Sequence, residues 1–179
     1  MKTIFLLRHA KSSWDDPVER DFDRPLNTRG RRAAETIGRY LREQSLAFDS
    51  VVASPAVRVI GTLDGVESGA GRRLGATFDK RVYMASAPTL LDIVHETDAG
   101  SETLLLVGHN PGLEDLIFLL TPAGSSTLRK EVDIKYPTAT LAEMRFDVER
   151  WEDIDEATGE LVRFIRPRDL DPALGPDGT

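Results

Sequence analysis

Four short apolar runs punctuate the first two thirds of the chain: Ile4–Leu7, Val51–Ala53, a weaker Val82–Tyr83, and Leu104–Val107. Runs of this length between turn residues suit strands buried on both faces of a parallel sheet. Apolar positions with a helical period lie between and after them. Ala33, Ala34, Ile37, Tyr40 and Leu41 share one helical face, as do Ala56, Val59, Ile60 and Leu63, and again Leu113, Leu116, Ile117 and Leu120. Leu90–Val94 reads as a further short helix, while Gly61, Gly65 and the run Gly69–Gly75 blur the end of the second one. Strand and helix thus alternate, which predicts α/β layers with crossover helices. After Thr121 the texture changes. Ala142, Met144 and Phe146 alternate with Glu143 and Arg145, and Leu161–Ile165 forms a second strand beyond an acidic connection, predicting an antiparallel hairpin or sheet edge. A single domain over 1–168 is expected, with the Pro-, Gly- and Asp-rich stretch 169–179 disordered.

Composition narrows the function. With 179 residues and 40% hydrophobic content the chain can build one well-filled core. Its 23 basic against 30 acidic residues leave a net charge of −7, which argues against nucleic acid or an anionic membrane as partner. The absence of cysteine excludes disulfides, a thiolate nucleophile and Cys-ligated metal, and fits a cytoplasmic setting. The N-terminal apolar run is too short for a signal peptide or a membrane span.

The reactive residues cluster where α/β proteins bind ligands, beyond the carboxyl ends of strands. Arg8-His9-Ala10-Lys11-Ser12 follows the first strand, Ser54-Pro55-Ala56-Val57-Arg58 the second, and Gly108-His109-Asn110-Pro111 the fourth. Two of the three histidines and two arginines therefore meet at one sheet edge. Ser54 and Asn110 have the character of helix N-caps, with Pro55 and Pro111 in the first turns. Arg58 near a helix start is disfavoured by the helix dipole unless an anion binds there, and guanidinium forks suit phosphate oxygens. Histidine can attack phosphorus to give a phosphohistidine that water then hydrolyses. His9 takes that role in this reading, and His109 stabilises the transferring group. Arg29, Arg31, Arg32 and Arg39 read as a solvated helix face, Lys11 and Arg24 as intermediate cases, and His95 as a surface helix residue; Trp14 and Trp151 read as packing residues, with Trp14 near enough to the first junction to line a pocket rim. A metallohydrolase using His9, His109 and Asp15 or Asp16 lacks the spacing such sites show.

The strings LLRHAKSSW, DFDRPLNTRG, VVASPAVRVIGT and LLLVGHNPGLEDL, in this order, resemble the histidine phosphatase superfamily and within it the SixA-like phosphohistidine phosphatases. Ala10 stands where the superfamily motif has glycine. The resemblance runs from Met1 to about Leu120, and more loosely through RFIRPRDL near residue 170. It implies a three-layer α/β/α sandwich of the phosphoglycerate mutase-like kind, with a mostly parallel sheet and no cofactor or metal. It also implies His9 as the phosphorylated nucleophile, Arg8 and Arg58 as phosphate ligands, and His109 as the fourth member of the pocket; Ser12 and Asn110 are further phosphate-binding candidates, with a plain helix cap as the other reading of Asn110. Many members add a carboxylate acid between the second and fourth strands. This chain has Met84 there, with Asp79 and Asp92 nearby, and no acid at a recognisable spacing. An alkyl phosphate needs a proton donor for its leaving group, whereas phosphohistidine can leave as neutral imidazole. A phosphorylated protein is therefore the expected substrate. A small phosphoester or phosphoanhydride, or a silent phosphate-binding module, is the alternative.

Overall fold

The computed structural model describes residues 1–15, 17–18 and 20–175. Six strands form one sheet: β1 (Lys2–Arg8), β2 (Ser50–Ala53), β3 (Thr77–Phe78), β4 (Thr103–Gly108), β5 (Leu141–Phe146) and β6 (Glu160–Ile165). Their order is β3-β2-β4-β1-β5-β6. The first four run parallel, and β5 and β6 add antiparallel to β1 and to each other. This is the expected α/β class with a mostly parallel centre and an antiparallel C-terminal edge.

The layers follow from the period of two along each strand. In β1, Phe5 and Leu7 join Val51, Ala53, Leu105 and Val107 in a core under α1 (Thr28–Glu43) and α2 (Val57–Ala70). Ile4 and Leu6 point the other way, into a core with Leu104 and Leu106 under α3 (Ala87–His95) and α4 (Gly112–Leu120). Apolar residues on both faces are why these strands read as unbroken runs rather than alternating ones. A further helix, α5 (Thr127–Ile134), lies between α4 and β5 and contributes buried Val132. The sequence pattern did not predict it.

The glycines that blurred the end of α2 are instead its contact with α1. A Cβ at Gly69 would lie 2.0 Å from the Glu35 carbonyl oxygen, and one at Gly38 would lie 2.1 Å from that of Val66. Only hydrogen at these positions lets the two backbones approach so closely.

Two expectations need correction. Val82–Tyr83 is not a strand: Lys80–Val82 forms a 3-10 turn, opened by the Asp79 carboxylate accepting from Arg81 N–H at 2.9 Å. The third strand is Thr77–Phe78, which pairs with Val52 and Ala53. It is a two-residue exposed edge with no apolar run to announce it. The stretch expected to be disordered begins instead with a helical turn, α6 (Pro167–Leu170), and a 3-10 turn over Pro172–Leu174. Buried Leu174 joins the α1–α2 core, and Asp171 accepts from Arg32 at 2.7 Å. Leu170 packs against the same core, so two leucines and an ion pair to α1 hold this segment, and residues 176–179 lie outside the described ones.

Candidate active site

β1 and β4 lie side by side with Arg8 opposite Gly108, so the next residues, His9 and His109, emerge together at the carboxyl edge. His9 N–H donates to the Gly108 carbonyl at 3.0 Å, tying the two loops. The imidazole centroids are 5.3 Å apart. β2 ends one strand further along, and the turn after it places Arg58 at the second position of α2. Arg8, His9, Arg58 and His109 line one pocket of about 400 Å³, together with Lys11, Ser12, Trp14, Asp21, Arg24, Met84, Asn110 and Thr138. All six residues singled out from sequence are among them.

Hydrogen bonds fix the imidazole tautomers. His9 Nδ1 is 2.7 Å from the Ala10 carbonyl oxygen, which can only accept, so Nδ1 carries the proton and Nε2 keeps its lone pair. His109 Nδ1 lies 3.3 Å from Nη2 of Arg58, which can only donate, so Nδ1 accepts and Nε2–H donates to Ser54 Oγ at 2.8 Å. Burial, with the charges of Arg58 and Arg8, lowers His9 to about 3. Burial and Arg58 lower His109 to about 4 against a smaller opposing pull from Asp21. Both rings are neutral at physiological pH.

Arg58 is 2% exposed and strongly braced. Its Nη1 donates to the Asp21 carbonyl and its Nη2 to Asp21 Oδ2, each at 2.9 Å. Arg8 Nη1 donates to the Tyr136 carbonyl at 2.8 Å. The buried Nε atoms of Arg8, Arg24 and Arg58 in this pocket have no hydrogen-bond partner, as is also true of Arg29 outside it. Asn110 Nδ2 donates to that same Tyr136 carbonyl at 3.1 Å, and its Oδ1 accepts from Glu114 N–H at 3.2 Å, so the amide braces the β4–α4 turn. Ser12 Oγ accepts from Arg24. The predicted helix starts are displaced: α2 begins at Val57, two residues beyond Pro55, and α4 at Gly112, just after Pro111.

Asp21 and Tyr83 were missed from sequence, and Arg24, an intermediate case there, is a participant. Arg24 is buried in the pocket wall, its guanidinium stacked 3.7 Å from the centroid of Trp14. Trp14 is 79% exposed at the rim, where its nearness to the first junction allowed it to be, whereas Trp151 is fully buried. Asp21 lines the pocket, and Tyr83 donates to its Oδ2 at 2.8 Å while meeting the His109 ring edge-on at 5.3 Å. Burial acts to raise the Asp21 carboxyl, but hydrogen bonds from Tyr83, Arg24 and Arg58, with the Arg58 charge, hold it at about 2. Asp79 pairs with Arg81 away from this pocket. His95 is half-buried rather than free at the surface, its ring bonded to the Ile154 carbonyl at 2.8 Å. Asp16 lies outside the described residues, among which no three His, Cys, Asp or Glu are placed to hold a metal ion. No helix among them is long and apolar enough to cross a membrane.

A family model described as the histidine phosphatase superfamily, branch 1, matches residues 4–82, which include His9 and Arg58. An uncharacterized protein of Mycobacterium tuberculosis is 32% identical over 164 residues, covering 90% of this chain and all of that protein. Among solved structures, a candidate SixA phosphohistidine phosphatase of Nakamurella multipartitia is 29% identical, with TM-score 0.79 over 93% of this chain and 96% of its own. Another from Agrobacterium tumefaciens is 28% identical, with TM-score 0.75 over 93% and 98%.

Proposed function

Because the chain belongs to the histidine phosphatase superfamily, we propose that it hydrolyses protein phosphohistidine, without a metal, through a phosphoryl intermediate on His9. The observation that carries this is the convergence of His9, His109, Arg8 and Arg58 on one pocket. His9 is prepared for attack: Ala10 fixes its tautomer, and burial keeps Nε2 unprotonated. Arg8 and Arg58 take the non-bridging phosphoryl oxygens, their charge set in place before the transition state forms. His109 lies beside the same oxygens, where an arriving dianion favours its protonated form. Cleavage leaves the phosphoryl group on His9 Nε2, and water attacking the opposite side of phosphorus returns the free imidazole.

The leaving group decides the substrate class. The carboxylate lining this pocket among the described residues, Asp21, is ionised at neutral pH and has no proton to give. An alkoxide would depart unaided at great cost, whereas protonated phosphohistidine departs as neutral imidazole. The exposed Trp14 and Met84 at the pocket mouth favour a substrate presented on a protein surface. The test compares a phosphohistidine peptide with alkyl phosphates, using wild type and His9→Ala in the presence of a chelator. The reading requires chelator-resistant hydrolysis of the peptide, slow or absent hydrolysis of alkyl esters, and loss of turnover in H9A. Turnover retained by H9A would overturn it.

A further inference from the structure

Asp21 is an anion placed where anions bind. Its Oδ1 accepts from Arg24 at 3.0 Å, and its Oδ2 accepts from Arg58 at 2.9 Å and from Tyr83 at 2.8 Å. These donors come from its own segment, from α2 and from the turn after β3, so the carboxylate is held in one pose. Its side chain is nevertheless 47% exposed while lining the pocket. A negative charge there repels a phosphoryl dianion, and bracing Arg58 alone does not require it, because the Asp21 backbone carbonyl already accepts from Arg58 Nη1. The exposed part of the carboxylate is therefore available to a group that carries positive charge.

Resting on the phosphohistidine reading above, we propose that Asp21 is the specificity-determining residue of this pocket, accepting a hydrogen bond from the ring N–H of the substrate's phosphoimidazolium. In that cation one ring nitrogen carries phosphorus and the other a proton. As His9 Nε2 forms its bond to phosphorus, the substrate's N–P bond breaks and its electron pair stays on the departing nitrogen. Imidazole leaves neutral with its proton still on the other nitrogen, and no proton is transferred in this step. By favouring the cation, Asp21 keeps the bound substrate in its reactive form at pH values where it would be unprotonated in water. An O-phosphorylated substrate has no such N–H and meets only the repulsion. Arg24, Arg58, Tyr83 and His109 face the carboxylate, with Arg8 and Lys11 in the same pocket. Ionised Asp21 is thus compatible with an N–H partner and incompatible with a proton-donor role.

The experiment measures kcat against pH at saturating substrate, which titrates groups of the bound complex, for a phosphohistidine peptide and for p-nitrophenyl phosphate, whose leaving group needs no proton. It uses the full chain as wild type, D21N, D21E and H9A. An opposite charge within contact distance moves a pKa by roughly 1–3 units. In D21N the basic limb for the peptide should move down by about that amount, and at pH 8 the peptide-to-nitrophenyl ratio should fall about ten- to a hundredfold. D21E, which keeps the charge, should recover most of the limb. If D21N lowers both substrates in parallel with the limb unmoved, Asp21 only positions Arg58 and the proposal is overturned. Should D21N fail to fold, Y83F decides: it removes a competing donor from Oδ2 and keeps the charge, so the peptide's basic limb moves up. A limb that stays or falls in Y83F overturns the proposal. H9A separates the two claims, since its retained turnover defeats the phosphohistidine reading whatever D21N does.

Discussion

Mild acid should destabilise this fold through its two pocket imidazoles. His9 is held at about 3 and His109 at about 4, both below the ordinary 6.5, and both are buried. The folded chain therefore refuses protons that the unfolded chain accepts. Their contribution to stability is complete above pH 6.5 and is lost as pH falls toward 4 and then 3. At pH 5 the unfolded imidazoles lie about 1.5 units below their ordinary pKa while the folded ones remain neutral. Each then contributes a loss of about 2 kcal/mol, roughly 4 kcal/mol together, against total stabilities of about 5–15 kcal/mol for ordinary domains. Asp21 does not confuse the measurement: with its carboxyl at about 2, its contribution is lost only below the ordinary 3.8. The assay is urea unfolding followed by fluorescence of buried Trp151, in phosphate-free buffers from pH 7.5 to 5, so that no bound anion adds stability. Wild type should lose about 4 kcal/mol over this range, and H9N/H109N should lose much less. Equal losses in the two proteins would refute the claim that these rings are neutral because they are buried among arginines.

Other perturbations have defined outcomes. Arg58→Ala removes a buried guanidinium poised for the transferring phosphoryl group, and should lower kcat/KM for the phosphohistidine peptide about 10²–10³-fold in steady-state assays. Gly38→Ala drives a methyl group into the Val66 carbonyl and should reduce stability by about 1–3 kcal/mol, read from the urea midpoint. Arg31→Ala, on the exposed face of α1, should change stability by less than about 0.5 kcal/mol and leave turnover intact.

The parts of the molecule legible in sequence are those whose signal is local. β1 and β4 announce themselves because both faces of each are buried. His9 and His109 were found because each stands immediately beyond a strand, and Arg58 because it opens the helix that follows one, where the topology must bring them together. Asp21 and Tyr83 were not, because their partnership spans 62 positions and neither sits in a strand-end motif. Arg24 was no more than an intermediate case, because only the folded chain surrounds it with Ser12, Trp14 and Asp21. β3 escaped notice because a two-residue edge strand needs no apolar run. The segment after Asp169 misled in the other direction, since Leu170 and buried Leu174 are enough to anchor a Pro- and Gly-rich stretch.

The chemistry stands or falls on whether phosphate passes through His9. Rapid quenching of the enzyme mixed with a ³²P-phosphohistidine peptide, followed by proteolysis and mass spectrometry, measures this directly. The expected result is acid-labile, base-stable label approaching one phosphoryl group per chain, mapped to His9 and absent from H9A. Wild-type turnover with no label on the enzyme at any quench time, or with label on another residue, would contradict it.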